Sequence, residues 1–142
     1  MMNPVITYTP NPAIDVWAQC ERVILTEKTR IEHVRTDPGG GGINVTRVLI
    51  ELGLDSLPIY LSGGVTGTLF QTMLEQRGIK GLCIPIAGDT RISEVVFETQ
   101  HAHEYRFVAD GPIVTQSEAN QALAAIAQTR GDWLVASGSL PR

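Results

Sequence analysis

The chain is short of positive charge: 11 Lys and Arg stand against 15 Asp and Glu, for a formal net charge of −4. No segment gathers a basic tract, so a nucleic-acid partner is not expected. Cysteine is scarce too, with only Cys20 and Cys83, far apart and without a C-x-x-C spacing or a nearby His pair. That excludes a disulfide framework and a cysteine-based zinc site, and leaves two buried, reduced thiols as the expectation. No apolar run approaches the ~20 residues that cross a bilayer, and Met1 to Pro10 has neither the basic nor the apolar region of a secretory leader. The expected location is therefore the cytoplasm, with no membrane partner. Internal repeats and low-complexity linkers are missing as well. With 142 residues, 43% hydrophobic and 18% charged, the composition is that of one ordinary globular domain.

What is present is a rhythm of strands and helices. Val5 to Thr9 reads as a strand that runs into the stiff turn Pro10-Asn11-Pro12. Ile14 to Ile24 is extended, and Thr29 to Arg35 reads as another strand, ended by Asp37, Pro38 and the glycines Gly39 to Gly42. Val45, Val48, Leu49 and Leu52 then recur at helical spacing, with Gly53 placed to stop the helix. Leu57 to Leu61 is a buried-type strand, Gly63 and Gly64 turn the chain, and Leu69, Phe70, Met73 and Leu74 mark a helix that stops at Gly78.

Leu82 to Ile86 follows as a strand, and Arg91 to Thr99 with Glu104 to Ala109 reads as a hairpin. Thr115 and Glu118 form a capping box that opens a helix carrying Ala122, Leu123 and Ile126 and ending near Gly131. Trp133 to Ala136 reads as a last buried strand. The strand-helix-strand order predicts an α/β fold, a parallel sheet flanked by helices with right-handed crossovers. Segments 14–36 and 91–109 predict a separate small sheet. No helix follows the final strand before Arg142, so the parallel sheet is expected to be incomplete at its C-terminal side.

The glycine run is the chemically informative feature. Asp37 to Val45 brings bare backbone to the start of a helix, where free N–H groups and the helix dipole favour polar or anionic ligands; a flexible turn is the plainer alternative. A G-x-G-x-x-G fingerprint is not formed, because Asn44 stands where the last glycine belongs, and no G-K-S/T follows. A nucleotide-dependent oxidoreductase is disfavoured on that ground. Asp15, beyond a proline-stiffened turn, can accept hydrogen bonds from two neighbouring sugar hydroxyls, and Asn44 can both donate and accept, although Asp15 alone serves equally well as a turn or cap residue. Arg91 and Arg106 lie on the two hairpin strands, where some registers converge their guanidinium groups on a phosphate and others leave both at the surface.

Together these residues resemble the PfkB carbohydrate kinase family, in its phosphofructokinase branch. The matching stretches are T-P-N-P-A-I-D (Thr9 to Asp15), D-P-G-G-G-G-I-N-V (Asp37 to Val45), S-G-G-V-T-G (Ser62 to Gly67), E-Y-R-F-V (Glu104 to Val108) and S-G-S-L-P (Ser137 to Pro141). Each piece alone is weakly specific; their order and spacing cover essentially the whole chain. The resemblance implies a ribokinase-like α/β fold whose small β-sheet acts as a lid, formed by segments 14–36 and 91–109, and a homodimer made through that lid. It implies that Asp15, Gly40, Gly41 and Asn44 hold the sugar hydroxyls, that Arg91, Arg106 and Ser139 surround the phosphate, and that Lys28 and Arg30 reach a site across the dimer.

The implied reaction passes the γ-phosphoryl group of ATP to a phosphorylated hexose, with Mg²⁺ neutralising developing charge and an Asp acting as base. Fructose 6-phosphate is the first expectation; a 1-phosphofructokinase or a tagatose-6-phosphate kinase is close behind. That Asp belongs to a G-A-G-D motif beyond residue 142, so no catalytic residue and little of the ATP site is expected in this chain, which would be the N-terminal portion of one kinase domain and inactive alone. Ala87, Gly88 and Asp89 spell A-G-D but lead into a strand, so Asp89 is read as a turn residue. Pro141 and Arg142 depart from the family, where a second proline and a glycine would stand. A stand-alone sugar-phosphate binding or dimerisation module is the alternative from a different class.

Overall fold

A computed structural model of the chain describes residues 3–142; Met1 and Met2, which entered the reading of the leader, lie outside the described residues. The elements run β1 (Val5–Thr9), β2 (Ala13–Cys20), β3 (Glu32–Gly39), α1 (Gly41–Glu51), β4 (Ser56–Ser62), α2 (Gly64–Gln76), β5 (Leu82–Pro85), β6 (Arg91–Glu98), β7 (His103–Val108), α3 (Gln116–Gln128) and β8 (Trp133–Ala136). They form two four-stranded sheets, ordered β5-β4-β1-β8 and β3-β2-β6-β7. The first is parallel throughout. In the second, β2 and β6 run parallel while β2–β3 and β6–β7 are antiparallel.

The parallel sheet is apolar on both faces because helices cover both. Along β4, Tyr60 points to a cluster with Ile14, Ile43, Phe70, Met73, Leu74 and Ile79, while Ile59 and Leu61 join Ile6, Ile84, Ile86 and Ala122 beneath α3. Such two-sided burial is why the strand reads as a continuous apolar run rather than an alternation. Phe70 is fully buried and meets Tyr60 edge-on, with ring centroids 5.4 Å apart. Burying such a ring contributes about 1.5–3 kcal/mol.

Helix α1 is fixed to the sheet by polar contacts as well. Thr7 and Thr46 share a hydrogen bond of 2.7 Å, Thr46 meets Ser56 at 3.0 Å, and the Ser56 hydroxyl donates to the Val5 carbonyl at 3.2 Å. The buried hydroxyls of Thr7 and Thr46 are thus satisfied, and α1 is tied to β1 and β4 at once. At α3 the capping box is present in full: the Thr115 hydroxyl accepts from the Glu118 N–H, and the Glu118 carboxylate accepts from the Thr115 N–H. The second oxygen of Glu118 also takes the Ala87 N–H at 2.7 Å, anchoring the turn after β5.

Several features differ from the sequence reading. Strand β2 ends at Cys20 rather than running on to Ile24, and Cys83 is half-buried rather than buried. Strand β3 does not stop before Asp37 but continues through Pro38 to Gly39, paired to Ala13. It is an edge strand, where the N–H that proline lacks costs no ladder bond. Strand β8 is also an edge strand rather than a buried one, and Trp133 and Leu134 are 72% and 51% exposed. Apolar composition marks a strand but not what lies beside it. Among the described residues, no helix is long and apolar enough to cross a membrane.

Phe70→Ala removes the ring at the centre of the cluster between α2 and the sheet, and a loss of about 3–5 kcal/mol of stability is expected in urea unfolding. A loss below about 1 kcal/mol would show that the site collapses freely and that the core is not packed as described.

Candidate functional site

The two sheets meet where β3 turns directly into α1, and a cavity of about 590 Å³ opens beside that junction. Gly40 is the hinge residue: its φ of 119° lies in the region L side chains avoid, and a Cβ there would come 2.6 Å from Thr9 Cγ2. At Gly39 a Cβ would overlap the Asp15 carboxylate, so that side chain rests on bare backbone. Helix α1 starts without a side-chain cap and without an acid in its first turn. Its partial positive end therefore faces the cavity uncompensated.

Asp15 stands opposite Asp37 on β3 and beside Ser93 on β6. Asp37 is engaged by Arg35 at 3.1 Å and Arg77 at 2.6 Å. Asp15 accepts no hydrogen bond among the described residues, and its carboxylate is open to the cavity. Burial lifts its carboxyl above the ordinary pKa; Arg91, Arg106 and Arg47 pull it back and Asp37 pushes it further up, for a net rise. Because the folded value is raised, the stability this group contributes falls as pH rises from the ordinary value through the raised one.

The guanidinium groups divide into two kinds. Arg91 spends its terminal nitrogens on the Ala109 carbonyl, the Asn11 carbonyl and the Ser139 hydroxyl, each at 3.2 Å, while its Nε is buried without a partner. Asn11 donates to the same Ser139 hydroxyl at 3.0 Å. Arg91 is therefore first a brace between loops, with one donor left over. Arg106 and Arg47 line the same cavity and make no hydrogen bond or ion pair among the described residues.

Of the residues singled out in the sequence, Asp15, Gly40, Gly41, Asn44, Arg91 and Arg106 all line this cavity. Ser139 joins through Arg91 and Asn11. Lys28 and Arg30 do not line it; they lie exposed on the loop between β2 and β3. Sequence reasoning overlooked Asp37, Arg35, Arg47 and Trp17, which line the cavity too, with Arg35 stacked 5.6 Å over the Trp17 ring. Arg47 carried a usable signal, since it follows Asn44 by three residues on one helix face. The opposition of Asp15 and Asp37 carried none until the strand register was known.

A parallel α/β sheet with a mixed four-stranded sheet set over a glycine-opened helix defines a sugar-kinase type of architecture. Residues 2–142 match the pfkB family of carbohydrate kinases, and the chain belongs to that family. It is 44% identical over 139 residues to the ATP-dependent 6-phosphofructokinase isozyme 2 of Mycobacterium tuberculosis, covering 96% of this chain and 41% of the relative. It is 28% identical to the D-tagatose-1-phosphate kinase of Bacillus licheniformis, covering 97% of this chain and 45% of the relative. Among solved structures, Escherichia coli phosphofructokinase-2 in complex with fructose-6-phosphate superposes with a TM-score of 0.91 at 29% identity, over 99% of this chain and 46% of that one. The chain thus spans less than half the length of these relatives.

In an NMR titration of the side-chain carboxyls, Asp15 is expected to ionise above the ordinary 3.8. Asp37→Asn should bring that value down and Arg106→Ala should lift it. Ionisation at or below the ordinary value would refute the burial described here.

Proposed function

We propose that this chain supplies the sugar-binding half of a sugar-phosphate kinase, which moves the γ-phosphoryl group of ATP onto a hydroxyl of a phosphorylated hexose, fructose 6-phosphate before other ketose phosphates. The observation that carries the reading is the convergence of one open carboxylate, Asp15, with the helix end at Gly40–Gly41, Asn44 and two uncommitted guanidiniums in a single cavity. Asp15 accepts from adjacent sugar hydroxyls, and Asn44 both donates and accepts beside it. Arg106 and Arg47 offer forked donors for the substrate's phosphate, with Arg91 and Ser139 close by. Orientation is what such a site contributes, since phosphoryl transfer is accelerated largely by positioning and charge stabilisation.

In the transfer, the acceptor oxygen bonds to the γ-phosphorus, the bond to the β–γ bridging oxygen breaks, and the hydroxyl proton leaves to a base. No residue of this chain is assigned that base; Asp89 sits in the turn before β6, not at the start of a helix. ATP is proposed as the phosphoryl donor on the strength of the relatives. The Mg²⁺ that accompanies such a nucleotide finds no fitting donor set here: among the described residues, the cavity's carboxylates, Asp15, Asp37 and Glu94, do not bring three ligand atoms together. A cytoplasmic location accords with the substrate class.

The small sheet is proposed as a lid over the sugar and as the dimer contact. In support, Ile92 and Phe107 share one of its faces at 42% and 58% exposure. Lys28 and Arg30, on the neighbouring loop, are proposed to reach the partner's sugar phosphate. Sedimentation is expected to show a dimer that Phe107→Asp converts to monomer; a parent chain that stays monomeric at high concentration would end this part of the proposal.

Calorimetry of fructose 6-phosphate against the chain is expected to give saturable heat, weakened at least about tenfold, or ~1.4 kcal/mol, by Asp15→Asn and by Asn44→Ala. Tagatose 6-phosphate and fructose 1-phosphate titrated in parallel decide among the ketoses. If both variants bind as the parent does, the cavity is not the sugar site. In a protein extended to the relatives' length, ATP-dependent turnover should fall with the same substitutions.

A further inference from the structure

Away from the cavity, at the far tip of the β6–β7 hairpin, lies a cluster that the sugar site does not use. Glu98 closes β6 and its side chain is 2% exposed. Its Oε1 accepts the Val23 N–H at 3.2 Å and lies 3.3 Å from His101 Nδ1. Its Oε2 is buried with no hydrogen-bond partner, and the nearest cationic candidate, His103 Nδ1, is 3.4 Å away. A buried carboxylate oxygen left without a donor is costly, and such orphans call for an explanation.

We propose that Glu98, His101 and His103 form a binding site for one divalent transition-metal ion of the zinc class. One ligand atom from each of the three residues lies within 4.8 Å of the others. Tetrahedral zinc, with nitrogen and oxygen ligands about 2.0–2.1 Å from the ion, sets neighbouring ligand atoms about 3.3 Å apart. Each imidazole already stands at that spacing from one oxygen of the Glu98 carboxylate, His101 Nδ1 at 3.3 Å from Oε1 and His103 Nδ1 at 3.4 Å from Oε2, so a small turn of the carboxylate brings one oxygen to both. The imidazole rings lie side by side, centroids 5.5 Å apart and tilted by 30°. With 47% and 63% of their side chains exposed, the histidines leave the ion a path from solvent and room for a water as fourth ligand. Two imidazoles and one carboxylate suit Zn²⁺ and its neighbours, not Mg²⁺ or Ca²⁺, which prefer all-oxygen shells.

The placement gives the ion something to act on. His103 begins β7, three residues before Arg106, and Glu98 already holds Val23 at the start of the loop that carries Lys28 and Arg30. An ion held here fixes the hairpin register and couples the hairpin to that loop, the two segments that bring guanidinium and ammonium groups to the small sheet.

The test is titration of Zn²⁺ into the chelator-treated chain by calorimetry, with Co²⁺ absorption as a spectroscopic check on geometry. The site predicts saturable binding of about one ion per chain, a tetrahedral Co²⁺ spectrum and a zinc-dependent rise in melting temperature. His103→Ala, at an exposed position, should weaken zinc binding by at least about tenfold and abolish the melting shift, and His101→Ala should do the same. Glu98→Gln adds a third arm if it folds; the histidine variants decide the matter without it. Absence of saturable zinc binding overturns the proposal, and so does undiminished affinity in both histidine variants or equal binding of Mg²⁺.

Discussion

The backbone passage from Gly39 through Gly40 into α1 is the constraint on which the rest of this molecule depends. There the edge of the small sheet becomes the first turn of a core helix with no residue to spare, against Thr9, Pro12 and the Asp15 carboxylate. Any side chain at this point would push the sheets apart. Because none is present, the helix end, the acid on β2 and the arginines of the small sheet line one cavity together.

Charge pairing then decides which groups stay available. Asp37 is satisfied by Arg35 and Arg77, and through Arg77 it ties strand β3 to the end of α2. Arg91 is mostly consumed by the carbonyls of Asn11 and Ala109, which bind the entry to β2 and the exit of β7 to the same guanidinium. Among the described residues of the cavity, the carboxylates of Asp15 and Glu94 and the side chains of Arg106 and Arg47 make no hydrogen bond or ion pair. A cavity that neutralises some of its ions internally and leaves carboxylates and guanidiniums free is what the proposed sugar-phosphate site requires.

Local features were legible in the amino-acid sequence. The Thr115–Glu118 capping box, the spans of β1 and β8 and the helices that end near Gly53 and Gly78 depend on neighbours within a few residues, and each lies where the pattern put it. Register and long-range contacts were not legible. Nothing local says that β3 runs on through Pro38, since that rests on its being an edge. Nor does spacing show that Asp15 faces Asp37, or that Arg91 is spent as a brace. The burial of Glu98 is likewise invisible from its own strand, because it is made by Val23 arriving from a loop 75 residues earlier.

The hydroxyl relay of Thr7, Thr46 and Ser56 gives the two walls of the cavity different freedoms. It locks the roll of α1 about its own axis, so Asn44 and Arg47 keep their bearing only while two strands and a helix keep theirs, and a change there disturbs the core. Arg106 sits on β7, an outermost strand of the small sheet, and makes no hydrogen bond or ion pair among the described residues, so its replacement touches little else. Substitution is thus cheaper at Arg106 than on the helix wall, where the side chains cannot shift without the core.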